Sequence, residues 1–490
     1  MSDCNATRWT LHQASCCLQQ GEISSQELTQ ECLNAIAQHN SQLNCFVAQA
    51  DKAALAAAKQ ADERRARGKA LGPLDGIPVA LKDMILTTEL PTTACSGILR
   101  GYQSPYDATV WRKLREQGAV LLGKLNQDEF AMGSSTETSA YGPCRNPWDL
   151  NRCAGGSSGG SAAAVSAGLC LGSLGTDTGG SVRQPAAFCG IVGLRPTYGR
   201  VSRFGVVAFA SSLDQVGPMA ADVPGCALLL DAIAGHDAND STSLPNPAGG
   251  YAQQLQKDIS GLQVGVAKQL LEQADDCVRK VIEQAIASLR SRGAHIQEVV
   301  LPDADLCVAV YYVLTSAEAS SNLSRYDGIR YGPRLGEDEG LQGLYTRTRG
   351  ELFGDEVKRR ILLGTYVLSA GYYDAYYVRA QQVRRLLAQQ FSKVLQQVDV
   401  IVTPTTPSPA FMLGEKIRDP LSMYLNDVCT AGVSLAGVPA LSLNAGFCSK
   451  GLPVGVQLIG KPLAELTLLQ TGHALQQQLA LDNHPPLLKN

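Results

Sequence analysis

Seven short runs of apolar, often β-branched residues recur along this chain between stretches of helical periodicity, and that alternation restricts its fold more than any other feature. The runs are IPVALKDMI from Ile77, GAVLLGKLN from Gly118, LQVGVA from Leu262, HIQEVVL from His295, VDVIVTP from Val398, PALSLNAG from Pro439 and PVGVQLIG from Pro453. Each has the length and composition of a buried strand. Strands that alternate with helices assemble in layers, so the pattern predicts an α/β fold with a mixed central β-sheet covered by helices on both faces.

Local signals divide the chain without breaking it into separate domains. Ser24 and Glu27 can form a capping box ahead of a helix with Leu28, Cys32, Ala35 and Ile36 on one face. An alanine-rich helix from Lys52 to Lys59 runs into the charged DERRARG and is broken at Gly72-Pro73. The reading is one domain over 1–490, with an N-terminal helical region at 1–70 and a core at 71–235. A polar loop at 236–250 leads to further core at 251–300, a mainly helical cap at 301–397 and the completion of the core at 398–490.

Composition excludes several function classes. With a net charge of −3 the chain has no basic field to grip a nucleic-acid backbone by itself. Its 15 cysteines include no C-x-x-C pair and no histidine cluster, so neither a zinc site nor a disulfide framework is indicated, and they read as small buried hydrophobes. The opening MSDCNATRWTLHQAS lacks the basic end and apolar run of a secretion signal, and no later run reaches membrane-spanning length. The expected compartment is the reducing cytoplasm, with no metal and no membrane contact.

Two glycine- and serine-rich stretches stand out, AGGSSGGSAAAVSAG from Ala154 and GTDTGGSVRQPA from Gly175. A phosphate-cradling loop would need Gly-Lys-Ser/Thr, and neither stretch supplies the lysine. Gly155-x-Ser157-x-Gly159 and Gly156-x-Ser158-x-Gly160 fit a nucleophile elbow literally. Yet NPWDLNRCA before them is polar and turn-like, and none of the six histidines sits in a motif-like setting. A serine can instead be activated by a neutral lysine. Lys82, at the end of an apolar strand, is the candidate, because desolvation lowers an amine's pKa; the plainer reading is a lysine that snorkels to the surface.

Taken together in this order, Lys82, GGSSGG and DTGGS resemble the amidase-signature family. The resemblance implies that Ser181 is the acyl-forming nucleophile, Ser157 the bridging serine after a cis peptide bond, and Lys82 the base. It also implies an oxyanion hole at Thr178, Gly179 and Gly180, while Ser158 and Asp177 hold their loops. Further stretches, EASSNLSRYDGIRYG from Glu318, FGDEVKRRILLGTYVLSAGYYDAYY from Phe353 and MYLNDVCTAGVSLAGVPALS from Met423, look like the ammonia-releasing subunits of tRNA-dependent amidotransferases.

On that likeness Arg360 and Asp427 would bind the carboxylate and ammonium of glutamine. Tyr311 would line the same pocket, with Tyr312 as the competing choice, and FAMGSS from Phe130 would approach the substrate. The implied assembly is a heterotrimer in which this chain needs no cofactor. A B subunit would bind mischarged tRNA and use ATP and magnesium, and a C subunit would join the two. A free-standing amidase acting on another small amide is the rival reading.

Overall fold

Side-chain caps start helices where the sequence offers them. Ser24 and Glu27 form the capping box ahead of the helix Ser25–Leu43, whose Leu28, Cys32, Ala35 and Ile36 are buried. A second box, Thr10 with Gln13, opens the helix Leu11–Gln20. The alanine-rich segment is helical over Asp51–Ala66. The computed structural model describes residues 9–256 and 258–488, so the first eight residues of the stretch read for a secretion signal lie outside the described residues.

The seven apolar runs all become strands of one eleven-stranded mixed sheet. From one edge its strands are Phe46–Gln49, Val120–Leu125, Pro78–Lys82, Gly172–Asp177, Gln215–Ala220, Val192–Arg195, Ala440–Phe447, Pro453–Gly460, Val400–Pro404, Gln263–Val266 and His295–Glu298. Val120–Leu125, Pro78–Lys82 and Gly172–Asp177 are mutually parallel, as are the last three strands, and antiparallel pairs join these two blocks. Within the N-terminal helical region Phe46–Gln49 is a short strand that pairs antiparallel with Val120–Leu125 at the sheet edge.

Both faces of the central strands are buried, which explains why they read as continuous apolar runs, while the edge strands Phe46–Gln49 and His295–Glu298 are partly exposed. Val79, Leu81, Leu121, Val400, Val402 and Leu441 enter one core with the helices Leu11–Gln20, Val223–Ile233, Asp276–Ser291 and Glu465–Leu479. Ala80, Val120 and Leu122 face the opposite side, against Ser25–Leu43 and the short helix Gly159–Ser166. The period of two therefore turns Lys82, two residues after Ala80, toward that second helix layer.

Between the strands His295–Glu298 and Val400–Pro404 the chain is dominated by the helices Ala304–Asn322, Gly340–Leu352, Asp355–Leu368 and Arg379–Gln397. The first and third cross at Gly364, where an added Cβ would stand 1.9 Å from the Ser316 carbonyl oxygen. Cys16, Cys17 and Cys277 depart from the buried reading, since they lie on partly exposed helix positions; the other described cysteines are buried. Among the described residues no helix is long and apolar enough to cross a membrane.

Candidate active site

Lys82 ends its strand fully buried, so it does not snorkel. Its Nζ donates to Ser157 Oγ at 2.7 Å, to Ser158 Oγ at 2.9 Å and to Thr176 Oγ1 at 2.9 Å. Burial brings the amine down to about 7, against the opposing pull of Asp128, Asp177 and Asp214. At neutral pH such a lysine is poised between its charged and neutral forms. The peptide bond before Ser157 is cis. Ser158 Oγ also meets the Thr176 backbone, which fixes the serine loop to the neighbouring strand end.

Ser181 arrives from the adjacent parallel strand. Gly172–Asp177 leads through Thr178, Gly179 and Gly180 to Ser181, and the helix Arg183–Cys189 follows. This is the buried strand, sharp turn and helix that an elbow requires, and it belongs to the second glycine-rich stretch. NPWDLNRCA, read as turn-like, instead forms a small hairpin of Arg145–Asn146 with Asp149–Cys153, because Asn146 pins its turn through Trp148 N. Ser158 N donates to Ser181 O at 3.1 Å, which ties the two serine loops together. Ser181 is 7% exposed whereas Lys82 and Ser157 are at 0%, so the candidate nucleophile is the most accessible of three buried groups.

The turn is held by a buried ionic network. Burial alone would raise the Asp177 carboxyl, but Arg183 and Arg195 hold it well below the usual range. Asp177 also accepts from the Val182 amide. Thr178 Oγ1 donates to Asp214 at 2.7 Å. A Cβ on Gly179 would lie 2.5 Å from the Tyr311 hydroxyl oxygen, and one on Gly180, at φ 148°, would lie 2.3 Å from Thr430 Oγ1. Only glycine lets the backbone run this close to its neighbours.

A cavity of about 270 Å³ is lined by Ser134, Tyr312, Glu356, Arg360 and Tyr424 among others, and Tyr311, the neighbour of Tyr312, packs on Gly179 of the turn. Arg360 is 3% exposed; its Nε donates to Glu356 at 2.7 Å, while its buried Nη1 has no partner among the described residues. Its guanidinium carbon lies 4.4 Å from the Tyr312 ring centre and 4.7 Å from that of Tyr424. Asp427 accepts from Tyr312 Oη at 2.8 Å and Ser134 Oγ at 3.0 Å. Burial pushes its carboxyl up to about 6, against the pull of those bonds and of Arg360.

Gln184 couples the cavity wall to the Ser157 loop. It donates to Ser134 O and accepts from Gly156 N, both at 2.8 Å, so the FAMGSS loop and the Ser157 loop share one bracket. Tyr311 packs on Gly179, and its neighbour Tyr312 is the one that lines the cavity. The two tyrosines are adjacent on the helix Ala304–Asn322, so one step along the backbone sends them to different parts of the site. Glu356, Tyr424, Thr176 and Gln184 were not legible as site residues. Glu356 precedes Arg360 by four residues on one helix, which is the only sequence signal among them.

A family model described as Amidase matches residues 27–469. The chain is 55% identical, over 96% of its length and 96% of the relative's, to the A subunit of glutamyl-tRNA(Gln) amidotransferase from Chloroflexus aggregans. It also resembles the crystal structure of the corresponding A subunit from Thermotoga maritima, with a TM-score of 0.81, 40% identity and 99% of each chain covered. A native peptide amidase from Stenotrophomonas maltophilia superposes with a TM-score of 0.83 at 32% identity, covering 98% of this chain and 99% of its own.

Proposed function

Because this chain belongs to the amidase family, we propose that it is the glutamine-hydrolysing A subunit of a cytoplasmic glutamyl-tRNA(Gln) amidotransferase, which converts Glu-tRNA(Gln) to Gln-tRNA(Gln). The observation that carries the reading is the pairing, about the shared neighbour Tyr312, of the buried cation Arg360, which keeps a free donor, with the buried carboxylate Asp427. Arg360 takes the α-carboxylate of glutamine and Asp427 its ammonium. The peptide-amidase likeness shares the fold, so it is the polar cavity and not the sheet that favours glutamine.

In the proposed reaction Ser181 Oγ attacks the side-chain amide carbon. Its proton passes to Ser157 Oγ as the Ser157 proton passes to neutral Lys82. The amides of the Thr178–Ser181 turn stabilise the tetrahedral oxyanion. As the carbon–nitrogen bond breaks, the proton returns from Lys82 through Ser157 to the nitrogen, and ammonia leaves a γ-glutamyl ester on Ser181. Water, deprotonated along the same path, then releases glutamate. A partner B subunit holds the mischarged tRNA and uses ATP and magnesium to activate its glutamate, and a C subunit joins the two chains; this chain itself uses no cofactor.

The test is ammonia release from glutamine by the purified chain, alone and with its B and C partners. We expect partner-dependent activity that Ser181→Ala and Lys82→Ala each reduce by about 1,000-fold or more, since both act on the same step. Strong activity of the lone chain on other small amides, with little on glutamine, would establish a free-standing amidase instead.

A further inference from the structure

We infer that Glu356 is a specificity-determining positioning residue, which sets the distance and orientation between the cationic and anionic ends of the glutamine pocket. The inference rests on the reading that Arg360 receives the glutamine carboxylate. Glu356 precedes Arg360 by one helical turn and accepts its Nε at 2.7 Å through Oε1. The same oxygen accepts the hydroxyl of Tyr424 at 3.0 Å, and Oε2 is paired with Arg359. Glu356 therefore binds two elements at once: the helix Asp355–Leu368, which carries Arg360, and the segment Pro420–Asp427, which carries Asp427.

The geometry of a guanidinium gives this contact its consequence. A carboxylate can approach its Nε side or its end, where the two Nη groups lie. With Nε occupied by Glu356, the unpartnered Nη1 and the end-on edge remain for a ligand. The stacked rings of Tyr312 and Tyr424, 3.8 Å apart, restrict tilting of the guanidinium, and Tyr312 reaches Asp427 directly. Cation and carboxylate are thereby held to one spacing, the arrangement that admits the zwitterionic head of an α-amino acid and disfavours an amide that lacks either charge.

The experiment compares glutamine with glutamine methyl ester, which lacks the carboxylate, by ammonia release from the assembled enzyme. Variants are Glu356→Ala, Glu356→Gln and, as control, Arg360→Ala. Glu356→Ala should raise the glutamine KM about tenfold or more, and should lower the preference for glutamine over the ester by about fivefold or more. Glu356→Gln keeps an acceptor for Nε and for Tyr424 and should recover most of that preference. The inference is overturned by a Glu356→Ala enzyme whose preference is unchanged while Arg360→Ala loses it, or by equal losses on both substrates. Preference unchanged in Arg360→Ala as well would instead remove the assignment of Arg360, and the inference with it.

Discussion

At the scale of single residues, two burial-shifted groups set the expected pH dependence. In the proposed reaction Lys82 is neutral when it accepts a proton, and burial brings it down to about 7. In the same proposal Asp427 is ionised when it holds the glutamine ammonium, and burial pushes it up to about 6. Both requirements fail as pH falls. Glutaminase kcat/KM should therefore decline below about 7 and steepen below about 6, toward a tenfold and then a hundredfold loss per pH unit. A profile from pH 5 to 9 checks this. Asp427→Asn should leave the limb near 7 and abolish the steepening. Lys82→Arg keeps the charge but cannot deprotonate in this range, so it should be inactive at every pH.

At the scale of elements, the Arg360 helix depends on a close crossing. Gly364 faces the Ser316 carbonyl with no room for a methyl group. Gly364→Ala should push Asp355–Leu368 away from Ala304–Asn322, cost about 1–3 kcal/mol of stability in denaturant unfolding, and raise the glutamine KM more than it lowers kcat. An unchanged KM would show that the helix is not the pocket's rigid wall. Elements also explain what could be read in advance. IPVALKDMI or VDVIVTP announces a strand through branched apolar residues. GSLGTD, VGLR and QVGPMA, the strands at Gly172, Val192 and Gln215, hardly do, because glycine and small residues admit close helix packing rather than signalling extension. Lys82, Ser157 and Ser181 were legible because their motifs are contiguous. Gln184 was not, since its partners Ser134 and Gly156 lie in other segments, and Glu356 showed only its helical pairing with Arg360, while its contact with Tyr424 lies far away in sequence.

At the scale of the whole molecule, the chain is interleaved rather than divided. Its largest apolar core runs from Leu11 to Leu475, and Arg195 in the first half of the sequence pairs with Ala440 in the second. A protease site inserted between Ala248 and Gly249, in an exposed part of the polar loop, should yield two fragments that elute together and keep glutaminase activity. Size exclusion after cleavage checks this, and fragments that separate would contradict the shared core. The same interleaving reaches the serine turn. Arg183, which anchors Asp177, is itself held by Thr430, Ser434 and Gln457. During synthesis, then, the ribosome makes Ser181 before the groups that hold its loop in place. A nascent chain that has not yet passed Gln457 carries Lys82, Ser157 and Ser181 without the groups that brace the serine turn, so the proposed chemistry would wait until both halves of the sheet are made.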